Sequence, residues 1–139
     1  MTFVLDNSVA VAWCFEDEQT PPLIALLPRA AETGAFAPTL WPLEAANALL
    51  VAERRGRLGR VRRRRLCGFL KALPITLDDD TATQAWTATA ELAERFGLSV
   101  YDATYLELAR RLDLPLASLD GGLRRAASML GVPLLGTGT

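Results

Sequence analysis

Short apolar runs separated by longer helical stretches are the feature that most limits what this chain can fold into. Each run has only three or four residues, which is too short for a helix and typical of a buried strand. Strands that alternate with helices predict a parallel sheet covered by helices on both faces. We therefore predict an α/β fold, a three-layer sandwich with a central parallel sheet of four to five strands flanked by helices. The candidate strands are Thr2–Leu5, Ala35–Ala37, Pro74–Leu77, Leu116–Leu119 and Val132–Leu135.

The size and composition of the chain fit a single domain over residues 1–139. Half of the 139 residues are apolar, which excludes a disordered chain. No apolar stretch approaches the roughly 20 residues of a membrane span, and no basic segment precedes an apolar one at the N-terminus. Cys14 and Cys67 are isolated and flanked by apolar residues, as expected of reduced thiols. We expect a soluble cytoplasmic protein without a membrane partner.

The chain contains no histidine, and this narrows the chemistry available to it. A Ser-His-Asp triad, a Cys-His pair, histidine acid–base catalysis and the common zinc sites are all excluded. Any reaction must therefore use carboxylates, hydroxyls, arginines or the single lysine, Lys71.

Two aspartates follow candidate strands. Asp6 comes directly after the first strand and Asp120 directly after the fourth. Because the carboxyl ends of parallel strands meet at one edge of a sheet, both side chains should reach the crevice where open α/β sheets bind ligands. Each aspartate could instead cap the helix that follows it.

Two further acids lie near predicted helix starts. Glu44 shares a helix face with Asn47, and the two are the strongly polar residues of an otherwise apolar stretch. Asp102 follows Ser99 by three positions and precedes an apolar stripe, so we expect it to lean toward the interior. The alternatives are a favourable interaction of Glu44 with the helix dipole and a capping box of Ser99 with Asp102.

Several carboxylates in one crevice repel each other unless a positive charge lies among them. With no histidine or thiolate cluster available, an all-oxygen site favours a hard divalent cation, Mg²⁺ or Mn²⁺. Such an ion binds phosphate oxygens and lowers the pKa of a bound water. The reaction that fits is metal-assisted hydrolysis of a phosphodiester.

The ordered set of these motifs resembles the PIN domain. It is most similar to the VapC-type ribonucleases, the toxins of bacterial toxin–antitoxin pairs. The resemblance implies that one or two Mg²⁺ or Mn²⁺ ions lie among the four acids, with the Ser8 hydroxyl beside them. Asn47, on the same helix face as Glu44, is a further supporting candidate. The resemblance also implies an RNA substrate, a cognate antitoxin and a two-fold homodimer. The matching motifs are Asp6-x-Ser8, Trp-Pro-Leu-Glu44-x-x-Asn47, Leu-Ser-x-Tyr-Asp102-Ala and Ser-Leu-Asp120.

The charges are unevenly distributed along the chain. Residues 54–71 carry eight arginines and one lysine with no acid, whereas acids outnumber arginines on both sides of this segment. The block is open to three interpretations: a solvated surface, a surface that binds RNA phosphates, or a docking surface for an acidic protein segment. Its arginines are Arg54, Arg55, Arg57, Arg60, Arg62, Arg63, Arg64 and Arg65.

Three aromatic residues lie close to the acidic motifs. Trp41, Tyr101 and Tyr105 are candidates for stacking on bases, although aromatic residues at such positions more often belong to the core. We assign Trp13 and Trp86 to packing.

Three hypotheses follow for the function. The first is a metal-dependent endoribonuclease that acts as the toxin of a toxin–antitoxin pair. The second is a housekeeping RNA-processing nuclease with the same fold. The third is a non-catalytic α/β module that binds nucleic acid or protein through the arginine block, and it leaves the four acids unexplained.

Overall fold

The computed structural model describes residues 1–138 and confirms the predicted fold class. Five strands form one sheet in the order β3-β2-β1-β4-β5, and every neighbouring pair is parallel. The strands are β1 (Val4–Leu5), β2 (Ala35–Pro38), β3 (Ile75–Asp78), β4 (Leu116–Ala117) and β5 (Leu134–Leu135).

Helices connect the strands and cover the sheet. A short 3₁₀ turn, Glu16–Glu18, follows the first helix, and a widened π turn, Ala85–Thr89, joins the fifth helix to the sixth. The helices are α1 (Asn7–Ala12), α2 (Pro21–Thr33), α3 (Trp41–Arg54), α4 (Arg60–Ala72), α5 (Thr81–Gln84), α6 (Ala90–Phe96), α7 (Val100–Leu112) and α8 (Gly121–Met129). None of the helices in residues 1–138 combines the length and the apolar composition that a membrane span requires.

The core is built around the central strand and one buried helix. Phe3, Val4 and Leu5 are completely buried, as expected of a strand covered on both faces. Helix α7 packs on β1, β2 and β4, and every residue from 103 to 109 within it is buried. The N-terminus of α7 is thereby fixed against the middle of the sheet, and Asp102 lies in its first turn.

The order of the strands creates a crevice beside β1. From β1 the chain continues to β2 on one side, and it later returns to β4 on the other side. Ligands of open α/β sheets bind at the carboxyl ends of the strands where the order reverses in this way. Asp6 and Asp120 follow the two strands that border this position.

The structure contradicts the assignment of Trp86 to the core. This residue lies in the π turn, and 88% of its surface is exposed. Trp13 is buried as predicted, and its indole N–H donates to the Leu23 carbonyl at 2.9 Å. Both cysteines are free thiols; Cys14 is buried and Cys67 is half-buried.

Candidate active site at the carboxyl end of the sheet

Asp6 is buried at the end of β1 and accepts two hydroxyl hydrogen bonds. Ser8 donates to Asp6 Oδ2 at 2.6 Å, and Ser118 donates to the same oxygen at 2.8 Å. Asp6 occupies the N-cap position of α1, yet its carboxylate makes no capping hydrogen bond. The alternative of a simple helix cap therefore does not describe this residue, which instead joins two strand ends.

Ser118 links Asp6 to the start of α8. Its hydroxyl oxygen accepts from the Asp120 N–H at 3.1 Å, while Arg124 donates to the Ser118 carbonyl at 2.7 Å and to the Leu135 carbonyl at 3.0 Å. The register explains why the two strand ends meet, because Leu5 pairs with Ala117 and the next residues are Asp6 and Ser118. Ser118 is the serine of the Ser-Leu-Asp120 motif and had no predicted role, although aligning the two strand ends places it beside Asp6.

Asp120 caps α8 and remains exposed to solvent. Its Oδ2 accepts from the Leu123 N–H at 2.8 Å, as predicted by the capping alternative. The same loop is tied to Ser8, whose hydroxyl oxygen accepts from the Leu119 N–H at 2.9 Å. Ser8 and Ser118 thus each bond both to Asp6 and to the loop that carries Asp120.

Glu44 lies in the first turn of α3 and is held by a buried tyrosine. The Tyr105 hydroxyl donates to Glu44 Oε1 at 2.6 Å. Tyr105 is completely buried on α7, so it belongs to the core, which was the more usual interpretation, and it is not available to stack on bases. Its position fixes Glu44 from the opposite helix, and burial together with the Glu44 carboxylate raises the pKa of the Tyr105 hydroxyl. The hydroxyl therefore remains a donor at any ordinary pH.

Asp102 is half-buried in the first turn of α7. Ser99 caps this helix by accepting from the Asp102 N–H at 3.0 Å, so the first half of the predicted capping box is present. Asn47 lies one turn after Glu44 on α3 and is exposed.

The four acids interact electrostatically in pairs. Burial raises the pKa values of Asp6, Glu44 and Asp102 above those of ordinary carboxyl groups. The Asp102 charge raises the pKa of Asp6 further, the charges of Asp6 and Asp102 raise that of Glu44, and the Asp120 charge raises that of Asp102. Hydrogen bonds from Ser8 and Ser118 to Asp6, and from Tyr105 to Glu44, oppose these shifts.

The acids do not form a finished metal centre in their present rotamers. Within residues 1–138 no three acidic or cysteine side chains lie close enough together to hold an ion as they are. Asp6, Glu44, Asp102 and Asp120 are the residues that would hold a cation, whose positive charge would offset the repulsion among them. The donor set suits a hard cation, because it consists of carboxylate and hydroxyl oxygens.

Two buried polar atoms near these acids have no hydrogen-bond partner among the described residues. They are Asn7 Oδ1 and Trp41 Nε1. Asn7 is adjacent to Asp6, and Trp41 precedes Glu44 by three positions on α3. Since buried polar atoms are normally hydrogen-bonded, a water or a bound ligand can supply the missing partner at both atoms.

Of the three aromatic residues near the acids, only Tyr101 is accessible. Trp41 is buried, so it belongs to the core, which was the more usual interpretation, and it is not available to stack on bases. Tyr101 is 67% exposed and directly precedes Asp102 at the start of α7. Leu43, the neighbour of Glu44, and Val100 are also exposed. Exposed apolar side chains therefore adjoin two of the four acids.

Two arginines of the basic block, residues 54–71, form ion pairs with acids of the same chain. Arg57 pairs with Asp17 and Glu18 at 3.2 and 3.0 Å, and its guanidinium lies 4.0 Å from the centre of the Phe15 ring. Arg63 pairs with Glu53. The other six are exposed and take part in no ion pair within the described part of the chain: Arg54, Arg55, Arg60, Arg62, Arg64 and Arg65.

The fold and the acidic crevice place the chain among α/β domains with a carboxylate-rich site at the switch point of a parallel sheet. The PIN domain family profile matches residues 3–129. The chain therefore belongs to the PIN domain family. Proteins of this family are generally nucleases that bind RNA, which indicates nuclease activity for this chain.

A solved structure shares the same fold. It is the crystal structure of PAE2754 from Pyrobaculum aerophilum, to which the chain is similar with 21% sequence identity and a TM-score of 0.69. The match covers 96% of this chain and 92% of that protein. A search of curated proteins found no match.

Proposed function

We propose that the protein is a Mg²⁺- or Mn²⁺-dependent endoribonuclease that acts as the toxin of a type II toxin–antitoxin pair. The main observation in support of nuclease activity is that four acids from distant parts of the chain are linked to one another. Asp6, Ser8, Ser118 and the Asp120 backbone form one hydrogen-bonded unit, and Glu44 and Asp102 interact with Asp6 through their charges. The toxin part rests on the order of the motifs and on their resemblance to VapC-type toxins.

The residues that would hold the cation are Asp6, Glu44, Asp102 and Asp120. The raised pKa values of Asp6, Glu44 and Asp102 mean that the ionised forms of these three acids are unfavourable until a positive charge compensates them. When bound, such a cation polarises the phosphate and lowers the pKa of a bound water.

The remaining residues of the site position these acids. Ser8 and Ser118 fix Asp6 through its Oδ2, and Tyr105 fixes Glu44 through its Oε1. Tyr101, exposed beside Asp102, offers a ring on which an unpaired base can stack. A substrate with unpaired bases near the cleaved bond fits this arrangement.

Cleavage of RNA by the purified protein tests the nuclease. We expect cleavage with Mg²⁺ or Mn²⁺, none in excess chelator, and a loss of at least about a hundredfold in Asp6→Asn, since the variant removes one of the carboxylate ligands. Glu94→Gln, an acid-to-amide change on the exposed side of α6, is the matched control and should cleave normally. Full activity in chelator, or in Asp6→Asn, would overturn the metal mechanism.

Growth of a bacterial host tests the toxin. Induction of the wild-type protein without a partner should arrest growth, and Asp6→Ala induced to the same level should not. Unaffected growth with an active enzyme would favour the housekeeping nuclease instead. Binding of RNA without turnover, unchanged when the four acids are neutralised, would favour the non-catalytic module.

Sedimentation of the purified protein would measure the expected homodimer.

A further inference from the structure

Two arginines of the basic block, Arg57 and Arg63, form ion pairs within the protein and so have a structural role, unlike the other arginines of the block. Arg57 lies in the turn between α3 and α4, where it anchors that turn to the acidic residues Asp17 and Glu18. Arg62 faces the same side, since it lines a cavity with Phe15, Glu16, Asp17 and Arg57. This side of the helix pair is therefore partly neutralised.

A different face of α4 carries positive side chains that form no ion pair with any of residues 1–138. At about 100° per residue, Arg60, Arg64 and Lys71 fall within about 40° of one another around the helix. We call these three residues the basic face. All three are exposed, and the face extends about 16 Å along the helix. Gly68, which lies next to it, has no neighbouring atoms in its side-chain direction.

The C-terminal end of the basic face lies beside the first turn of α3. Helices α3 and α4 are joined by a short turn and pack on each other. Lys71, near the end of α4, lines one cavity with Trp41 and Pro42, the first residues of α3. Glu44 lies in that same first turn of α3. The face thus runs from the distal turn, at Arg60, to the end of α3 that carries a site carboxylate.

We propose that the basic face of α4 binds the phosphate backbone of the RNA strand on one side of the cleaved bond. The inference rests on the proposed function and adds a substrate-binding surface to it. Guanidinium groups match phosphate oxygens in geometry and charge. A stable protein partner would need a cluster of apolar or aromatic anchors at the centre of its contact. The exposed large apolar residue of α4 is Val61 alone, and it lies about 60° to the side of Arg64 around the helix. A single strand of phosphates fits such a face better than an acidic protein segment does.

Binding and cleavage of a fluorescently labelled oligouridylate test the proposal. The variant pair is Arg60→Gln with Arg64→Gln. The control pair, Arg95→Gln with Arg110→Gln, removes the same charge from exposed positions on α6 and α7. Affinity is measured by fluorescence anisotropy in chelator over a KCl series, so that binding is read without turnover. Cleavage is measured separately with Mg²⁺.

The proposal expects the affinity of the Arg60/Arg64 variant to fall about tenfold at moderate salt, because two phosphate contacts are lost. The slope of log Kd against log salt should decrease by about 1.4, since each contact to a single strand contributes about 0.7. KM should rise with kcat unchanged, and the control pair should behave like the wild type.

Four outcomes would overturn the proposal. Equal losses of RNA affinity in both variant pairs would indicate a general charge effect, and tighter binding of a poly-glutamate peptide than of RNA at this face would indicate an acidic protein partner. The other two are an unchanged RNA affinity of the Arg60/Arg64 pair in an active nuclease, and a salt slope that does not decrease. If the wild type binds RNA but never cleaves it, the proposed nuclease activity is wrong. The anisotropy measurements on the two variant pairs would still show whether the basic face binds RNA.

Discussion

Hydroxyl groups determine the arrangement of the acidic residues at the smallest scale. Ser8 and Ser118 both donate to one oxygen of Asp6, and Tyr105 donates to one oxygen of Glu44. A buried carboxylate without such donors would be strongly destabilising. The hydroxyls therefore allow Asp6 to occupy a buried position and Glu44 a half-buried one, and they also fix the orientation of both carboxylates.

Tyr105→Phe should lower activity without unfolding the protein. The phenyl ring keeps the packing of α7, but Glu44 loses a hydrogen bond to a charged group, which is worth about 1.5–3 kcal/mol. We expect kcat to fall about tenfold. The Tyr105 hydroxyl lowers the pKa of Glu44, so its removal should also move the rising limb of the pH–rate profile to higher pH.

Tyr101→Phe, which changes an exposed tyrosine near the same acids, is the control for Tyr105→Phe. It should leave kcat and the pH profile unchanged. If the Tyr105 variant retains the wild-type kcat and profile, its hydroxyl has no part in positioning Glu44.

At the scale of elements, an ion-pair network ties α7 to the edge of the sheet. Arg111 on α7 pairs with Glu107 one turn earlier at 2.8 Å, and with Asp78 at the end of β3. Glu107 is buried, so its charge depends on Arg111 for compensation. The network joins the helix that carries Asp102 to the strand at the edge of the sheet.

Arg111→Met should destabilise the fold by about 3 kcal/mol, because it leaves a buried carboxylate without its partner. Urea unfolding measures the loss. Arg110→Met, at an exposed neighbouring position, should change stability by less than about 0.5 kcal/mol. Adding Glu107→Leu to Arg111→Met should recover most of the loss. A stable Arg111→Met protein would show that the network does not support α7.

At the scale of the whole molecule, the crowded acids make folding and cation binding interdependent. The raised pKa of Asp6 means that its protonated form is favoured in the folded protein. Its contribution to stability is thus complete below the ordinary aspartate pKa of about 4 and is lost as pH rises through the raised value. A bound divalent cation would restore stability above that range.

Chemical unfolding in chelator should therefore show Asp6→Asn becoming more stable than the wild type as pH rises from about 4 to 8. The variant retains an acceptor for Ser8 and Ser118, so their hydrogen bonds can persist. Adding Mg²⁺ at about 100 times its Kd should stabilise the wild type by about 2.7 kcal/mol and the variant by much less. Parallel pH curves for the two proteins, with equal responses to Mg²⁺, would contradict this account.

The sequence by itself determined the alternation of strands and helices, because the spacing of apolar residues reflects local backbone periodicity. It also indicated which acids follow strands or begin helices. Local spacing has no information on contacts such as Ser118 with Asp6 or Tyr105 with Glu44, which join residues 112 and 61 positions apart.

Only the tertiary structure decided those contacts, because they depend on how β1 and β4 align and on how α7 packs against α3. It also decided that Arg57 and Arg63 serve internal ion pairs, and that Trp86 is exposed while Trp41 and Tyr105 are buried. Whether a side chain is buried or paired depends on neighbours from distant parts of the chain, and the fold alone brings those neighbours together.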